Sequence, residues 1–486
     1  MKIKLLGYIL FVAVVGLATA CNDDDTFTTS MDNKLTFSTD TVKMDTTFSK
    51  VPTPTKTFWV YNRSGNGLRL TNVRLAQGNQ TGFRVNVDGV YLGQASGYQV
   101  NNLEVRSKDS IRVFVELTSP LSGTEEPKKV EDNLIFTLES GVQQKVNLNA
   151  FSWDAELWKN VEIKENTTIK TKKPIVIQGG IKVAEGATLT IGEGTTLYFS
   201  NKAGIDVYGQ LKIEGTNAKE GAVTLRGDRL DWMFDYLKYD DVSGQWRGIH
   251  FYKPSYDNEI TFADIHSTYN GIVCDSSNVD RQKLTIKQSN IHNCQGYGLL
   301  STNCKVDVSN TLLSNALKDC VAVFGGRVTL SHCTLAQFYP FDGNRGAALR
   351  FGDNSGTQLY PLLQFDVYNS LITGFADDVI MGAFSKDAAL NYRFDHCILR
   401  TTKEEKIDAA KYIEVEWEDK ADTVQSGQKH FRLVDADKQR FDFHLRKASK
   451  AINKGYVLAN GTSGTDRDGK QRTDVPDIGC YEYVEE

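Results

Sequence analysis

The 486-residue chain is predicted to be all-β, a β-sandwich followed by a long β-solenoid, on three observations. First, two apolar residues separated by four others recur five times in the second half. The pairs are Ile286/Ile291, Val308/Leu313, Leu330/Leu335, Val367/Ile372 and Phe394/Leu399, starting 22, 22, 37 and 27 residues apart. A strand-length motif that returns after one coil plus variable loops is the mark of stacked rungs. Second, residues from roughly 160 to 225 string short alternating strands between Gly-rich turns. Third, residues 31–150 alternate as strands do but lack those Gly-rich coils.

In chain order, Lys2 and Lys4 precede an apolar run from Leu5 to Ala18, then Ala18-Thr19-Ala20-Cys21. A basic start, a short apolar core and small residues before a cut predict a signal peptide over 1–20. The cut between Ala20 and Cys21 resembles a bacterial lipobox, with Ala18 where the commonest version has Leu. That resemblance implies a lipid on Cys21; ordinary cleavage with Cys21 incidental is the alternative. The acidic run Asn22-Asp23-Asp24-Asp25 opens a linker over 21–30. It resembles the export signal of surface lipoproteins in Bacteroidota. The implied location is the outer membrane, anchored by lipid at the cell surface, with periplasm-facing attachment as the alternative. No other segment is long and apolar enough to cross a bilayer.

Residues 31–150 contain "KTFWVYN", "LRLTNVRL", "FRVNV", "SIRVFVEL", "NLIFTLES" and "QQKVNLN". Six or seven such strands fit an antiparallel sandwich of the immunoglobulin-like type, expected to act as a spacer. Net charge is −5, and the basic residues are scattered, so no nucleic-acid partner is expected. Seven cysteines follow Cys21, none with C-x-x-C spacing, so no metal motif is read from them. Buried free thiols are expected.

In the solenoid, predicted over 155–486, two columns follow the first apolar anchor. One holds Gln288, Asn310, His332, Asn369 and His396; the next holds Ser289, Thr311, Cys333, Ser370 and Cys397. Rungs stack about 4.8 Å apart, so such columns become side-chain ladders. His332 and His396 are therefore read as ladder residues. Cys333 and Cys397 lie two rungs apart, about 9.6 Å, too far for a disulfide. "GGIKVAEGATLTIGEGTTLYFSNKAGIDVYGQLKIEGT" resembles the right-handed parallel β-helix family, the pectin-lyase-like fold. "DRDGKQRTDVPDIGCYEY" (466–483) looks like the closing segment of many secreted β-helix proteins, and marks the fold rather than an activity.

Two insertions interrupt the rungs. Residues 226–248 bring Trp232, Tyr236 and Trp246 among several Asp; roughly 336–363 brings Tyr339, Arg345 and Arg350 with Asp342 and Asp353. Aromatic faces beside charged groups suit sugar recognition, so Trp232, Tyr236, Trp246, Tyr339, Arg345 and Arg350 are the candidate glycan-binding residues. The expected function is non-catalytic carbohydrate or cell-surface interaction, with polysaccharide as partner. A polysaccharide lyase or glycoside hydrolase acting on acidic glycans is the alternative, and a structural envelope protein the third. Polygalacturonase motifs are absent, and no catalytic residue is assigned; Asp377-Asp378 is the one adjacent Asp pair in the repeats. No cofactor or metal is expected; Ca²⁺ would enter only with a lyase, as enzymes of this fold imply.

Overall fold

The computed structural model describes residues 26–78, 80–385, 387–403, 406 and 408–485. Ala20, Cys21 and the acidic run lie outside the described residues. The chain divides into two units between Asp154 and Ala155.

In the first unit, ten strands form two five-stranded sheets. One sheet orders Leu35–Phe37, Lys56–Asn62, Ser110–Leu117, Phe83–Val87 and Val90–Tyr91; the other orders Thr41–Phe48, Gln143–Trp153, Lys128–Leu138, Leu68–Leu75 and Gln99–Val105. Alternation sorts their side chains: Phe58 and Val60, and Leu134, Phe136 and Leu138, point into one shared core. The expectation of six or seven antiparallel strands needs correction at one edge. The chain crosses sheets after Phe37, so Leu35–Phe37 pairs antiparallel with Lys56–Asn62 while Thr41–Phe48 pairs parallel with Gln143–Trp153. Gln99–Val105 was hidden because its inward and outward residues do not alternate cleanly.

The second unit is a three-faced coil, and every rung-to-rung pairing is parallel. Face A climbs from Glu156–Lys159 to Glu416–Trp417, face B from Val161–Ile163 to Ile380–Ala383, and face C from Thr167–Ile169 to Tyr412–Ile413. Inward residues of all three fuse into one apolar column. The predicted register holds. Ile286, Val308, Leu330, Val367 and Phe394 are partners on face C, and Ile291, Leu313, Leu335, Ile372 and Leu399 on face A.

The corner from C to A explains the polar columns. Gln288, Asn310, His332, Asn369 and His396 all take the left-handed conformation, with φ of 47, 48, 51, 47 and 51°. A branched or bulky apolar residue is disfavoured there, and short polar side chains are tolerated. Ser289, Thr311 and Ser370 then accept backbone N–H groups of Ala263, Ser289 and Cys333, one rung away. Cys333 and Cys397 are buried and free, as are the other five thiols of the solenoid.

The first polar column serves a further purpose. Residues 456–482 run back along this corner and bond to it. Gln288 donates to Thr465 and to the Asp466 carbonyl, Asn310 accepts from Arg472, and Asn369 donates to the Tyr456 carbonyl. His332 meets Ser463 and Asn369; burial, with the Arg472 charge, holds its pKa well below the ordinary value. The recurring tail residues bond to one another: Arg472 to Glu482, Asp466 to the Glu482 N–H, and Asp477 to the Tyr483 N–H.

What the tail covers follows from face A's outward column, read in register as Thr196, Thr224, Asp264, Asn290, Leu312, Thr334, Leu371 and Ile398. Its later members are mostly apolar. Leu312, Leu371 and Ile398 pack with Phe338, Phe431, Phe443, Ile478 and Tyr481 into a second core outside the coil. Its earlier members are polar, and the first insertion bonds to Arg226 and His266 of the column beside them.

Candidate functional site

The site is assembled on the outward side of face A by Val223–Gly227, Ala263–His266 and Asn290–Cys294. Ala263, Ile265 and Ile291 point into the core. Strand geometry therefore turns Asp264, His266 and His292 outward. His266 and His292 are register partners, their rings stacked with centroids 4.9 Å apart. Arg226 stands one rung earlier, its guanidinium 5.4 Å from the Tyr198 ring centroid.

The first insertion completes the cluster. Its root is tied down by the Arg229–Asp231 ion pair (2.6 Å), with the Arg229 guanidinium 3.6 Å from the Tyr239 ring centroid. Asp240 then meets Arg226 at 2.9 Å and His266 Nε2 at 2.8 Å. His266 Nδ1 lies 2.7 Å from Asp264, and His292 Nε2 lies 3.1 Å from the same carboxylate oxygen. Burial alone would lower the His266 pKa, but the Asp264 charge and bonds from Asp240 and Asp264 outweigh it and raise the value to about 10. Burial opposes ionisation of Asp264, yet the two imidazoles hold it well below the usual carboxylate range. Asp241 goes the other way, raised by burial and by the Asp240 charge.

Beyond the root, Trp232–Phe234 pairs with Leu237–Lys238 in a short hairpin. Leu237 is buried beneath it, while Trp232, Phe234 and Tyr236 are 41, 52 and 51% exposed. The Phe234 and Tyr236 rings stack at 5.8 Å, and the Lys238 ammonium lies 5.2 Å from the Trp232 ring centroid.

Trp232 and Tyr236 are thus surface residues, while the other four candidates are engaged with other groups. Trp246 is 1% exposed, stacked on Phe199 at 4.2 Å, and donates to the His266 carbonyl; it belongs to the solenoid core. Its selection as a glycan contact is corrected. Tyr339 is buried, its hydroxyl bonded to Ser243 (2.8 Å), so it ties the second insertion to the first. Arg345 donates to the Tyr339 carbonyl, and its guanidinium lies 5.1 Å from the Phe375 ring centroid. Arg350 pairs with buried Asp319 at 2.7 Å. Asp353 accepts the Ser385 N–H, and Asp342 accepts that of Asn344. Those four charged groups therefore have separate partners rather than a common focus. Asp377 and Asp378 also separate, one toward Arg400 and the other onto the Ile380 N–H.

The cluster of Asp264, His266 and His292 was missed by sequence reasoning, although a signal existed. Ile260/Ile265 is a sixth pair with the same spacing, in register with Ile286/Ile291. Both "DIH" and "NIH" place a His just after the second anchor.

The class of fold is a right-handed parallel β-helix preceded by a β-sandwich. Residues 154–335 match the family model described as the right handed beta helix region. No curated protein matches the chain. Among solved structures, the catalytic unit of a thermostable GH87 alpha-1,3-glucanase from Streptomyces thermodiastaticus is 12% identical (TM-score 0.32), over 70% of this chain and 74% of that one. A family 123 glycoside hydrolase from Clostridium perfringens is 4% identical (TM-score 0.19), over 28% of this chain and 30% of that one. The PapD-like domain 7 of human CEP192 is 12% identical (TM-score 0.16), over 26% of this chain and 88% of that one. The chain thus spans under a third of the Clostridium structure's length. Likenesses this weak say nothing about chemistry.

Proposed function

We propose that this is an exported, lipid-anchored surface protein whose solenoid binds carbohydrate without turning it over. The observation that carries the reading is the hairpin bearing exposed Trp232, Phe234 and Tyr236 on a root fixed by ion pairs. Large apolar rings grouped in solvent mark interaction surfaces. Aromatic faces suit the C–H faces of sugar rings, and neighbouring Asp235 and Lys238 can bond hydroxyls. Across 226–248, Asp228, Asp231, Asp235, Asp240 and Asp241 outnumber Arg226, Arg229, Lys238 and Arg247, which favours a neutral glycan over a polyuronate. Binding is favoured over elimination because Arg345 and Arg350 are each committed to other groups.

Anchoring through Cys21 rests on the sequence at 18–21, and outer-leaflet placement on the acidic run after it. The sandwich would then lie between the anchor and the solenoid along the chain. Residues 21–486 applied to a glycan array should bind, and Trp232→Ala and Tyr236→Ala should each weaken binding about tenfold. Trp246→Ala should lower stability instead. New reducing ends, or unsaturated-uronate absorbance with acidic polysaccharides, would replace this reading with a hydrolase or lyase. No binding across the array would leave the structural role. Separately, Cys21→Ala expressed in the native host should move the protein from the detergent phase to the soluble fraction; continued partitioning would remove the anchor.

A further inference from the structure

We propose that Asp264, His266 and His292 form a binding site for a divalent first-row transition cation, with Asp240 orienting His266. One ligand atom from each of the three residues lies within 4.8 Å of the other two. Metal bonds of about 2.0–2.1 Å at a tetrahedral centre set neighbouring ligand atoms about 3.4 Å apart, so the widest pair closes by up to about 1.4 Å on binding. The carboxylate already stands 2.7 Å from His266 Nδ1 and 3.1 Å from His292 Nε2, close to the spacing of adjacent ligands around one ion. Two imidazoles and one carboxylate suit Zn²⁺, Fe²⁺, Co²⁺ or Ni²⁺ rather than Ca²⁺ or Mg²⁺, which prefer oxygen.

The arrangement around the three residues favours this over a chance salt bridge. A metal-bound imidazole commonly donates its second ring N–H to a carboxylate, which fixes ring and tautomer. His266 has that partner in Asp240, itself held by Arg226. The stacking of the two rings and the strand register keep both nitrogens beside one Asp264 oxygen. Asp264 and His292 are partly exposed, so the ion can enter and three protein ligands leave positions for water or a ligand.

Binding is an exchange: the cation takes the place of the Nδ1 proton of His266, and that proton goes to solvent. The charged and titratable groups around this imidazole are Asp240 and Asp241 of the insertion and Arg226, Asp264 and His292 of the rungs.

The test uses tag-free residues 21–486, stripped with EDTA and titrated with Zn²⁺ by calorimetry and with Co²⁺ by visible absorbance. One equivalent of Zn²⁺ should bind, and Co²⁺ should develop d–d bands. His292→Ala, at a partly exposed position, should weaken Zn²⁺ at least 100-fold, and Asp240→Asn about 10- to 100-fold. His250→Ala, elsewhere on the solenoid, should change nothing. Absence of stoichiometric binding by the parent protein, or a folded His292→Ala protein binding as the parent does, would overturn the proposal. The outcome is independent of the glycan array.

Discussion

Replacing Arg472 by Met should release the tail from the solenoid. The guanidinium is fully buried and meets Glu482 at 3.0 Å, Asn310 at 2.9 Å and the Gly479 carbonyl at 2.9 Å. Burial lowers the Arg472 pKa and the Glu482 charge opposes that, so the pair is held by mutual compensation. Methionine keeps much of the volume but strands the Glu482 carboxylate, which is 3% exposed, and the Asn310 oxygen. Breaking a buried pair from one side costs about 3–5 kcal/mol. Glu482 retains Thr473 and the Asp477 N–H, which places the expectation near the lower figure. Urea unfolding followed by hydrogen exchange should show lost protection across residues 431–483 and around Leu312, Ala336 and Phe338, which they cover, before the inner rungs open. The double variant Arg472→Met/Glu482→Leu should be more stable than Arg472→Met alone, because no unpaired charge then remains. A loss under about 1 kcal/mol, or a double variant worse than the single, would refute the compensation argument.

Two more expectations follow from the same contacts. His266 has a folded-state pKa of about 10 against 6.5 for the free side chain, so its contribution is complete below about pH 6.5 and fades as pH rises through 10. In EDTA, the stability gap between parent and His266→Gln should therefore shrink by a few kcal/mol from pH 6.5 to 10; a constant gap would contradict the imidazolium clamp. For the thiols, alkylation of denatured, unreduced protein should label both Cys333 and Cys397, since each is free and a Ser370 rung separates them. A peptide linking the two would break the register.

Much of the solenoid was legible because its period is written twice, in apolar anchors and in the corner column that needs left-handed backbone. Asn310, Asn369 and His332 are residues that such a corner tolerates. Trp246 shows the limit. It sits in an insertion rich in exposed aromatics, and only its stacking on Phe199 assigns it to the core. Composition cannot separate it from Trp232, fourteen positions earlier. The Asp264, His266 and His292 cluster was hidden for another reason. Its members come from successive rungs, so their proximity exists only once the register is extended back to Ile260/Ile265. The sandwich was legible where residues alternate and opaque at Thr41–Phe48, whose parallel partner is about a hundred residues away.

The second core outside the coil has a consequence for biosynthesis. Residues 431–483 follow every rung they cover in the sequence, so the Leu312, Leu371 and Ile398 strip stays wet until they dock. A chain cut short before Phe431 would display that strip together with the unmet Asn310 and Asn369 amides. It would be sticky and readily degraded. The closing segment thus covers the strip only in chains that extend through to Glu482.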